Sequence, residues 1–505
     1  MTGKGNDEKF YSLSHRGPDT SCKKRIGNIT MGFHRLAIND LSSSGEQPME
    51  FNGNHYMCNG EIYNWKELAN LNNIECTGAS DCEIIGKMFS ELGGDMERLC
   101  NSLDGVFAFV VLSANGDVFA ARDRMGVRPL FYGYTDLEEL CFASEAKGLQ
   151  GLCTMIQEFP PGHYFDGEQN DMCKYASVCK THNVPPSLKS IKHLLTASVE
   201  KRLITDRPLG FFLSGGLDSS LMCSIGTKIL GQRIKTFSIG VGNSPDLECA
   251  KMVSKYLDTD HTEIRFTVNE GYTAVREVIT ALESYDCTTV RASVPMYLMS
   301  KYVKEHTDIR VVISGEGADE LFGGYLYLHN APTIEEFQKE TERLLKNVYK
   351  HDITRADRCV SAHGLELRVP FFDRALVDYI ISIDPLFKKT KLEKKILRDS
   401  FVGHLPNQIL YRQKDGMSDA VGYSWVDHMR HITESMYNDD EYKTLCKKYE
   451  KNKPQSKEEL YYREVYSEVF GDFDNVTSMW RPQWTQQTDP SAKLLPQHEA
   501  QKQSL

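Results

Sequence analysis

The chain has 505 residues, too many for one ordinary hydrophobic core, so two or three domains are expected. With 40% hydrophobic and 26% charged residues it has the balance of a soluble globular protein, and a formal charge of −11 argues against a dedicated nucleic-acid binder. No apolar run approaches the length of a membrane span, and Met1 to Lys9 lack the apolar core of a signal peptide. The 14 cysteines are scattered without a C-x-x-C pair and read as buried small hydrophobes or free thiols, not a disulfide framework or a zinc site. A cytosolic protein with no membrane and no nucleic-acid partner is expected.

To about residue 165 the pattern is of short strands and turns. Asn52-Gly53 separates two β-rich runs around Met49 and Met57, and Asn115-Gly116 separates Val106–Ala114 from Asp117–Arg122. Both predict β-hairpins. Ser80 to Leu92 predicts a helix, with Ser80 and Glu83 forming a capping box. Antiparallel strands with few helices describe an α+β domain. Four polar fragments interrupt it: His15-Arg16-Gly17-Pro18-Asp19, His34-Arg35-Leu36-Ala37-Ile38-Asn39-Asp40, Cys58-Asn59-Gly60-Glu61-Ile62-Tyr63-Asn64, and Gly78-Ala79-Ser80-Asp81. Taken singly, each reads as a surface ion pair or a turn.

Residues 166–188 are polar, with Asn183, Pro185, Pro186 and Ser187, and read as a linker. A helix follows, with Ile191, Leu194, Leu195, Val199 and Leu203 at helical spacing. The apolar run Leu209 to Leu213 then ends in Ser214-Gly215-Gly216-Leu217-Asp218-Ser219-Ser220, from which a second helical pattern starts. That predicts a buried strand, a tight turn and a helix N-terminus, where backbone N–H groups stabilise an anion. Ser214, Ser219 and Ser220 add hydroxyls. Asp218 adds a carboxylate that repels phosphate unless a cation sits between them. No lysine follows the glycines, so this is not the common Gly-x-x-x-x-Gly-Lys loop. A serine-capped helix without a ligand is the plainer alternative.

Ile234–Val241 and Ile309–Ile313 predict two more strands, and strands alternating with helices imply a parallel doubly wound sheet. Its ligands sit beyond the strand C-termini. There lie Ser238-Ile239-Gly240 and Ser314-Gly315-Glu316-Gly317-Ala318-Asp319-Glu320. Glycines on both sides of Glu316 suggest a backbone that approaches a ligand closely. Glu320 reads equally well as a carboxylate that favours the helix dipole. Lys414 stands among polar residues in Tyr411-Arg412-Gln413-Lys414-Asp415.

In their order, these motifs resemble one family. Ser214 to Ser219 resembles the PP-loop of the ATP pyrophosphatases. Together with Phe237-Ser238-Ile239-Gly240, Arg291 to Ser300, Ser314 to Glu320, Glu366 to Asp373 and Gly422-Tyr423-Ser424-Trp425, it looks like the glutamine-hydrolysing asparagine synthetases of the B type. The four N-terminal fragments resemble the glutaminase domain of class II glutamine amidotransferases. The likeness runs from about His15 to Gly471, and Trp484 with Asp489-Pro490-Ser491 looks like the family's tail. It implies an antiparallel Ntn-type glutaminase domain over 1–165, a linker over 166–188, a PP-loop synthetase domain over 189–471 and a tail over 472–505.

The resemblance also implies the chemistry. The β-carboxylate of aspartate attacks the α-phosphate of ATP, giving β-aspartyl-AMP and pyrophosphate, and ammonia then releases asparagine and AMP. Ser214, Gly215, Gly216, Ser219 and Ser220 would cradle pyrophosphate, and Leu213, Ile239, Ser314 and Gly315 would line the rest of the ATP site. Asp218 and Asp319 would position Mg²⁺. Lys414 would stabilise transition-state charge, and Glu316 would orient the intermediate or relay a proton. In the glutaminase domain, Arg35 would hold the glutamine carboxylate and Asp81 its ammonium. Asn59 and Gly60 would form an oxyanion hole and Glu61 would fix the substrate, with Leu36, Ala37, Ile38 and Asn39 in the same site. Ammonia from glutamine would cross between domains through a tunnel. A homodimer is among the assemblies left open.

The family begins Met-Cys-Gly, and the freed N-terminal cysteine is its nucleophile. Here the second residue is Thr2, followed by Gly3 and a charged segment. Three readings compete: a truncated or mis-started form, a variant that uses free ammonia, or Thr2 as the nucleophile. Cys22 has no α-amine and is no substitute. Two other functions remain as alternatives. One is another PP-loop adenylating ligase, such as a β-lactam synthetase-like enzyme. The other is a non-catalytic regulatory descendant.

Overall fold

The computed structural model describes residues 4–178, 183–242, 244–413, 423–471, 473 and 477–484. The chain divides into two units: Met1–Val178 with Ile204–Pro208 and Ser361–Glu366, and Cys179–Leu203 with Leu209–Val360 and Leu367–Leu505. Among the described residues no helix is long and apolar enough to cross a membrane.

The first unit carries eleven strands among its described residues. In chain order they are β1 (Thr20–Ile26), β2 (Ile29–Arg35), β3 (Met49–Phe51), β4 (Asn54–Ile62), β5 (Gly105–Leu112) and β6 (Val118–Arg122). After them come β7 (Phe131–Tyr134), β8 (Leu140–Ala143), β9 (Met155–Glu158), β10 (His163–Asp166) and β11 (Asp171–Lys174). The strands form a six-stranded sheet in the order β11-β10-β6-β5-β4-β3, a three-stranded sheet β8-β7-β9 and the ribbon β1-β2. Neighbouring strands in these sheets all pair antiparallel.

The two predicted hairpins are present but differ in their turns. Asn52 and Gly53 both take positive φ, as a two-residue hairpin loop requires, whereas the second loop turns at Gly116, whose N–H donates to Ser113 O. Helices α1 (Glu83–Glu91) and α2 (Met96–Ser102) lay Ile84, Ile85, Met88, Phe89 and Leu99 on Phe107, Phe109 and Phe119.

Two expectations need correction. The capping box at Ser80 is absent: Cys82 is the N-cap, without a side-chain bond. Glu83 instead reaches back to accept from Thr77 N and Gly78 N, each at 2.9 Å. Its carboxylate thus ties down the loop ahead of the helix rather than the cap. The stretch expected as a linker from residue 166 carries β11, which pairs with β10, while β10 pairs with β6. Asn170, at φ +53°, makes the turn that lets these polar residues form a sheet edge.

The second unit is built on β12 (Leu209–Phe212), β13 (Lys235–Gly240), β14 (Asp260–Arg265), β15 (Val311–Ile313) and β16 (Glu366–Arg368), in the order β14-β13-β12-β15-β16. β12 runs parallel to β13 and to β15, and β13 parallel to β14. Continuous apolar burial fits such a sheet, as in β15, buried at every residue. The helices used below are α3 (Leu217–Leu230), α4 (Pro245–Leu257), α5 (Ala318–Phe322), α6 (Asp352–Ser361) and α7 (Lys395–Ser400). From β12 the order runs one way to β13 and the other way to β15. The ends of β12 and β15 therefore flank the switch point, where open α/β sheets bind ligands.

Candidate active site

At the end of β12, Leu213 N donates to Phe237 O, and the chain then turns sharply into α3. Gly215 makes the turn at φ +77°, and a Cβ there would lie 2.5 Å from Ala250 N on α4. Only glycine fits both demands. The loop's hydroxyls pair with one another: Ser214 N donates to Ser219 Oγ at 3.1 Å, and the two Oγ atoms are 2.9 Å apart. Ser220 Oγ and Asp218 Oδ1 are buried without a hydrogen-bond partner among the described residues. Arg412, which also lines the cavity, braces the loop by donating to Gly215 O and to Asp246 Oδ1.

The end of β15 packs against this loop. A Cβ on Gly315 would meet Ser219 N at 2.7 Å, and one on Gly317 would meet the Phe372 ring at 2.6 Å. What approaches the glycines around Glu316 so closely is therefore the protein's own loop and ring. Their smallness presents Glu316 to the cavity. Arg355 of α6 grips Glu316 with two N–H groups, at 2.7 and 3.3 Å, and also donates to Asp352 at 2.8 Å. Burial works against the charge on Arg355, but Glu316 and Asp352 outweigh it and hold the guanidinium ionised. Glu320 stands in the first turn of α5, as expected, and is also buried beside Asp352 and Asp319, where it accepts from Tyr325 Oη. Burial, and after it those two charges, push its carboxyl well above the usual range.

Lys394 was not legible from the sequence. Its Nζ, almost fully buried, bridges Asp218 Oδ2 at 2.5 Å and Asp319 Oδ1 at 2.6 Å. The two carboxylates predicted to share a cation do meet around one, and it is a lysine ammonium. Their oxygens also suit Mg²⁺, which takes one or two carboxylates and completes its shell with water and substrate phosphates. No group of three or more His, Cys, Asp or Glu forms a ready-made metal cage among the described residues.

Leu213, Ser214, Gly216, Asp218, Ser219, Ile239, Ser314, Gly315, Glu316 and Asp319 all line one cavity of about 210 Å³, together with Lys394 and Arg355. Gly215 and Ser220, in the same loop, are not part of that lining. Lys414 lies outside the described residues.

The first unit has its own cavity, of about 310 Å³, lined by Arg35, Leu36, Ile38, Asn39, Asn59, Gly60, Glu61 and Asp81. Ala37 does not line it; its N–H donates to Asp19. Arg35 donates to the carbonyls of Ser42 and Asp40, which fixes its fork at the end of β2. Asn39 donates to Glu61 at 2.6 Å, and Ile62 N donates to Asp81 at 2.6 Å. Burial dominates at Asp81 and pushes its carboxyl up to about 6. Asn59 Nδ2 is buried without a partner among the described residues, as a donor awaiting an acceptor would be. Gln47 was not legible from the sequence. Its amide accepts from Cys58 N at 2.6 Å and donates to Cys58 O at 3.2 Å, which clamps the strand at Asn59. Thr2 lies outside the described residues.

A glycine loop and an acidic strand end at the switch point of a parallel sheet define a PP-loop ligase unit, here in one chain with an antiparallel amidotransferase unit. A family model described as asparagine synthase matches residues 190–340 and 329–495, and one described as a glutamine amidotransferase domain matches residues 6–183. A probable asparagine synthetase (glutamine-hydrolyzing) of Acanthamoeba polyphaga mimivirus is 42% identical over 527 residues, covering 96% of this chain and 95% of the relative. Asparagine synthetases (glutamine-hydrolyzing) of Cricetulus griseus and Zea mays are 40% and 38% identical, covering 96% and 97% of this chain and 94% and 89% of the relatives. The chain belongs to the glutamine-hydrolysing asparagine synthetase family, whose members are ATP-dependent ligases.

Proposed function

We propose that the cavity of the second unit makes β-aspartyl-AMP from aspartate and ATP, and that ammonia then converts it to asparagine and AMP. The observation that carries this reading is the convergence of the Ser214–Ser220 loop, Glu316 and the Lys394-bridged pair Asp218 and Asp319 at one switch point. In the first step an aspartate carboxylate oxygen bonds to the α-phosphorus as the bond to the pyrophosphate oxygen breaks. Negative charge gathers on the leaving group, where the N–H groups of the loop, the freed hydroxyls of Ser214 and Ser219, and Ser220 Oγ would receive it. Lys394 and Lys414 would supply positive charge there. Asp218 and Asp319 would hold Mg²⁺, which when bound neutralises phosphate charge. Leu213, Ile239 and Gly315 would seat the adenosine.

In the second step ammonia adds to the activated carbonyl and loses a proton, and the C–O bond to AMP breaks. Glu316 would orient the intermediate or take that proton, with Arg355 fixing its position. In the first unit, Arg35 and Asp81 would hold the carboxylate and ammonium of glutamine, and Asn59 with Gly60 would receive the oxyanion. The test is pyrophosphate exchange into ATP. Exchange that requires aspartate is expected; its absence in well-folded protein would refute the ligase reading. Asparagine formation with ammonia and with glutamine then shows which donor this chain uses.

A further inference from the structure

The three-stranded sheet of the first unit holds a pair of thiols that the proposed reactions do not use. Gly133 on the middle strand β7 stands opposite Cys141 on β8. Opposed residues of an antiparallel pair put their side chains on one face, with Cβ atoms about 5 Å apart. Gly133 has no side chain, and Cys153 fills its place. A Cβ on Gly133 would lie 2.9 Å from Cys153 Cβ and 3.1 Å from its Sγ. Cys153, which leads into β9, therefore sits as a cross-strand neighbour of Cys141, within the reach that a disulfide needs. Both are free thiols in this structure.

The two sulfurs differ in access. Cys141 is 6% exposed, whereas Cys153 is partly open to solvent. A thiolate is better solvated at Cys153, where it can accept from the Cys141 thiol; the neutral acceptor of that thiol, Glu139 O, is 3.7 Å away. The hydrogen bond between the two thiols, the largest influence on each, lowers the pKa of Cys153 and, with burial, raises that of Cys141. Cys153 is thus the nucleophile, and Cys141 is poised to resolve what it forms. Cys58 and Cys82 are also hydrogen-bonded, but both are buried, and the bond to Cys58, followed by burial, holds Cys82 well above the usual thiol range. Neither offers an exposed thiolate.

We propose that Cys141 and Cys153 form a reversible disulfide by exchange with a low-molecular-weight disulfide, and that the bond braces the wall of the first unit's cavity. The Cys153 thiolate attacks one sulfur of the small disulfide RSSR, whose S–S bond breaks, and RS⁻ leaves and takes up a proton. Cys141 then gives up its proton and attacks the Cys153 sulfur of the mixed disulfide, and the second RS⁻ leaves with that proton as RSH. Two electrons pass from the protein thiols to RSSR, which becomes two RSH. Phe142, Ala143 and Ser144 follow Cys141, Leu149 and Leu152 precede Cys153, and all five line the cavity. Joining the two sulfurs ties these wall segments together. The exchange needs no part of the ligase reading.

The experiment treats the full chain with oxidised glutathione, quenches in acid, alkylates the remaining thiols under denaturant and maps the peptides by mass. A link between Cys141 and Cys153 that dithiothreitol removes is expected. C141S should stop at a mixed disulfide on Cys153, heavier by one glutathionyl group, and C153S should leave Cys141 unmodified. Two alkylated thiols in folded wild type under excess oxidised glutathione, a link from either cysteine to a different one, or an adduct on Cys141 in C153S would overturn the proposal. Hydrogen exchange then reads the brace. Oxidation should slow the amides of residues 141–153 about tenfold and leave those of β12 and β13 unchanged. Equal rates in the two forms would defeat the bracing claim. Neither measurement needs turnover, so the outcome is independent of aspartate-dependent pyrophosphate exchange.

Discussion

Asp81 shows how one side chain can set a pH dependence. Its folded pKa of about 6 stands above the ordinary 3.8, so below both values the group is neutral in either state and neither adds nor removes stability. As pH rises through this window the unfolded chain ionises first. Stability falls by about 3 kcal/mol in total and levels off above pH 6. An ammonium ligand favours the ionised form, so glutamine affinity should rise about tenfold per unit below pH 6 and flatten above it; titrations at several pH values check this. D81N should unfold at higher urea than wild type at pH 8, show little gain near pH 4, and lose glutamine binding. Lys394 holds a different balance. K394M leaves Asp218 and Asp319 facing each other without their ammonium, and aspartate-dependent exchange should fall about 100-fold, with part of the loss recovered at high Mg²⁺.

The elements explain why two adjacent glycines are not equivalent. Gly215 takes positive φ against the backbone of α4, so G215A should cost about 3 kcal/mol, read from urea unfolding. Gly216 has an ordinary φ of −76°, and the nearest atom to an added Cβ is Ser214 Oγ at 3.4 Å. G216A should therefore change stability by no more than about 1 kcal/mol while raising the KM for ATP, because its methyl group would crowd a phosphate held at the loop as proposed. Near-equal stability losses in the two variants would contradict this division of labour.

At the scale of the whole molecule, each unit encloses its own cavity beside its own core. Ligands should then protect different amides from hydrogen exchange. ATP is expected to slow exchange in β12, β13, α3 and residues 314–320, and glutamine in β2, β4 and residues 78–83. Protection by ATP spread evenly over both units would count against this assignment.

The hairpins at Asn52-Gly53 and Asn115-Gly116, the parallel sheet and the glycine loop were legible in the sequence because each depends on neighbours a few residues apart. Turn chemistry and strand–helix alternation are local properties of a chain, and they led directly to the switch point. The capping box failed because Glu83 found donors in the preceding loop, and β11 was hidden because an edge strand in water needs no apolar pattern. The rest was decided by tertiary structure. Lys394 meets Asp218 across 176 residues, Arg355 reaches Glu316 from another helix, and Cys153 comes to Cys141 over Gly133 of the strand between. A lysine, an arginine or a cysteine in a sequence shows only its charge or its thiol. Which carboxylate it neutralises, or which thiol it faces, is fixed only when separate elements pack and exclude the water that would otherwise satisfy them.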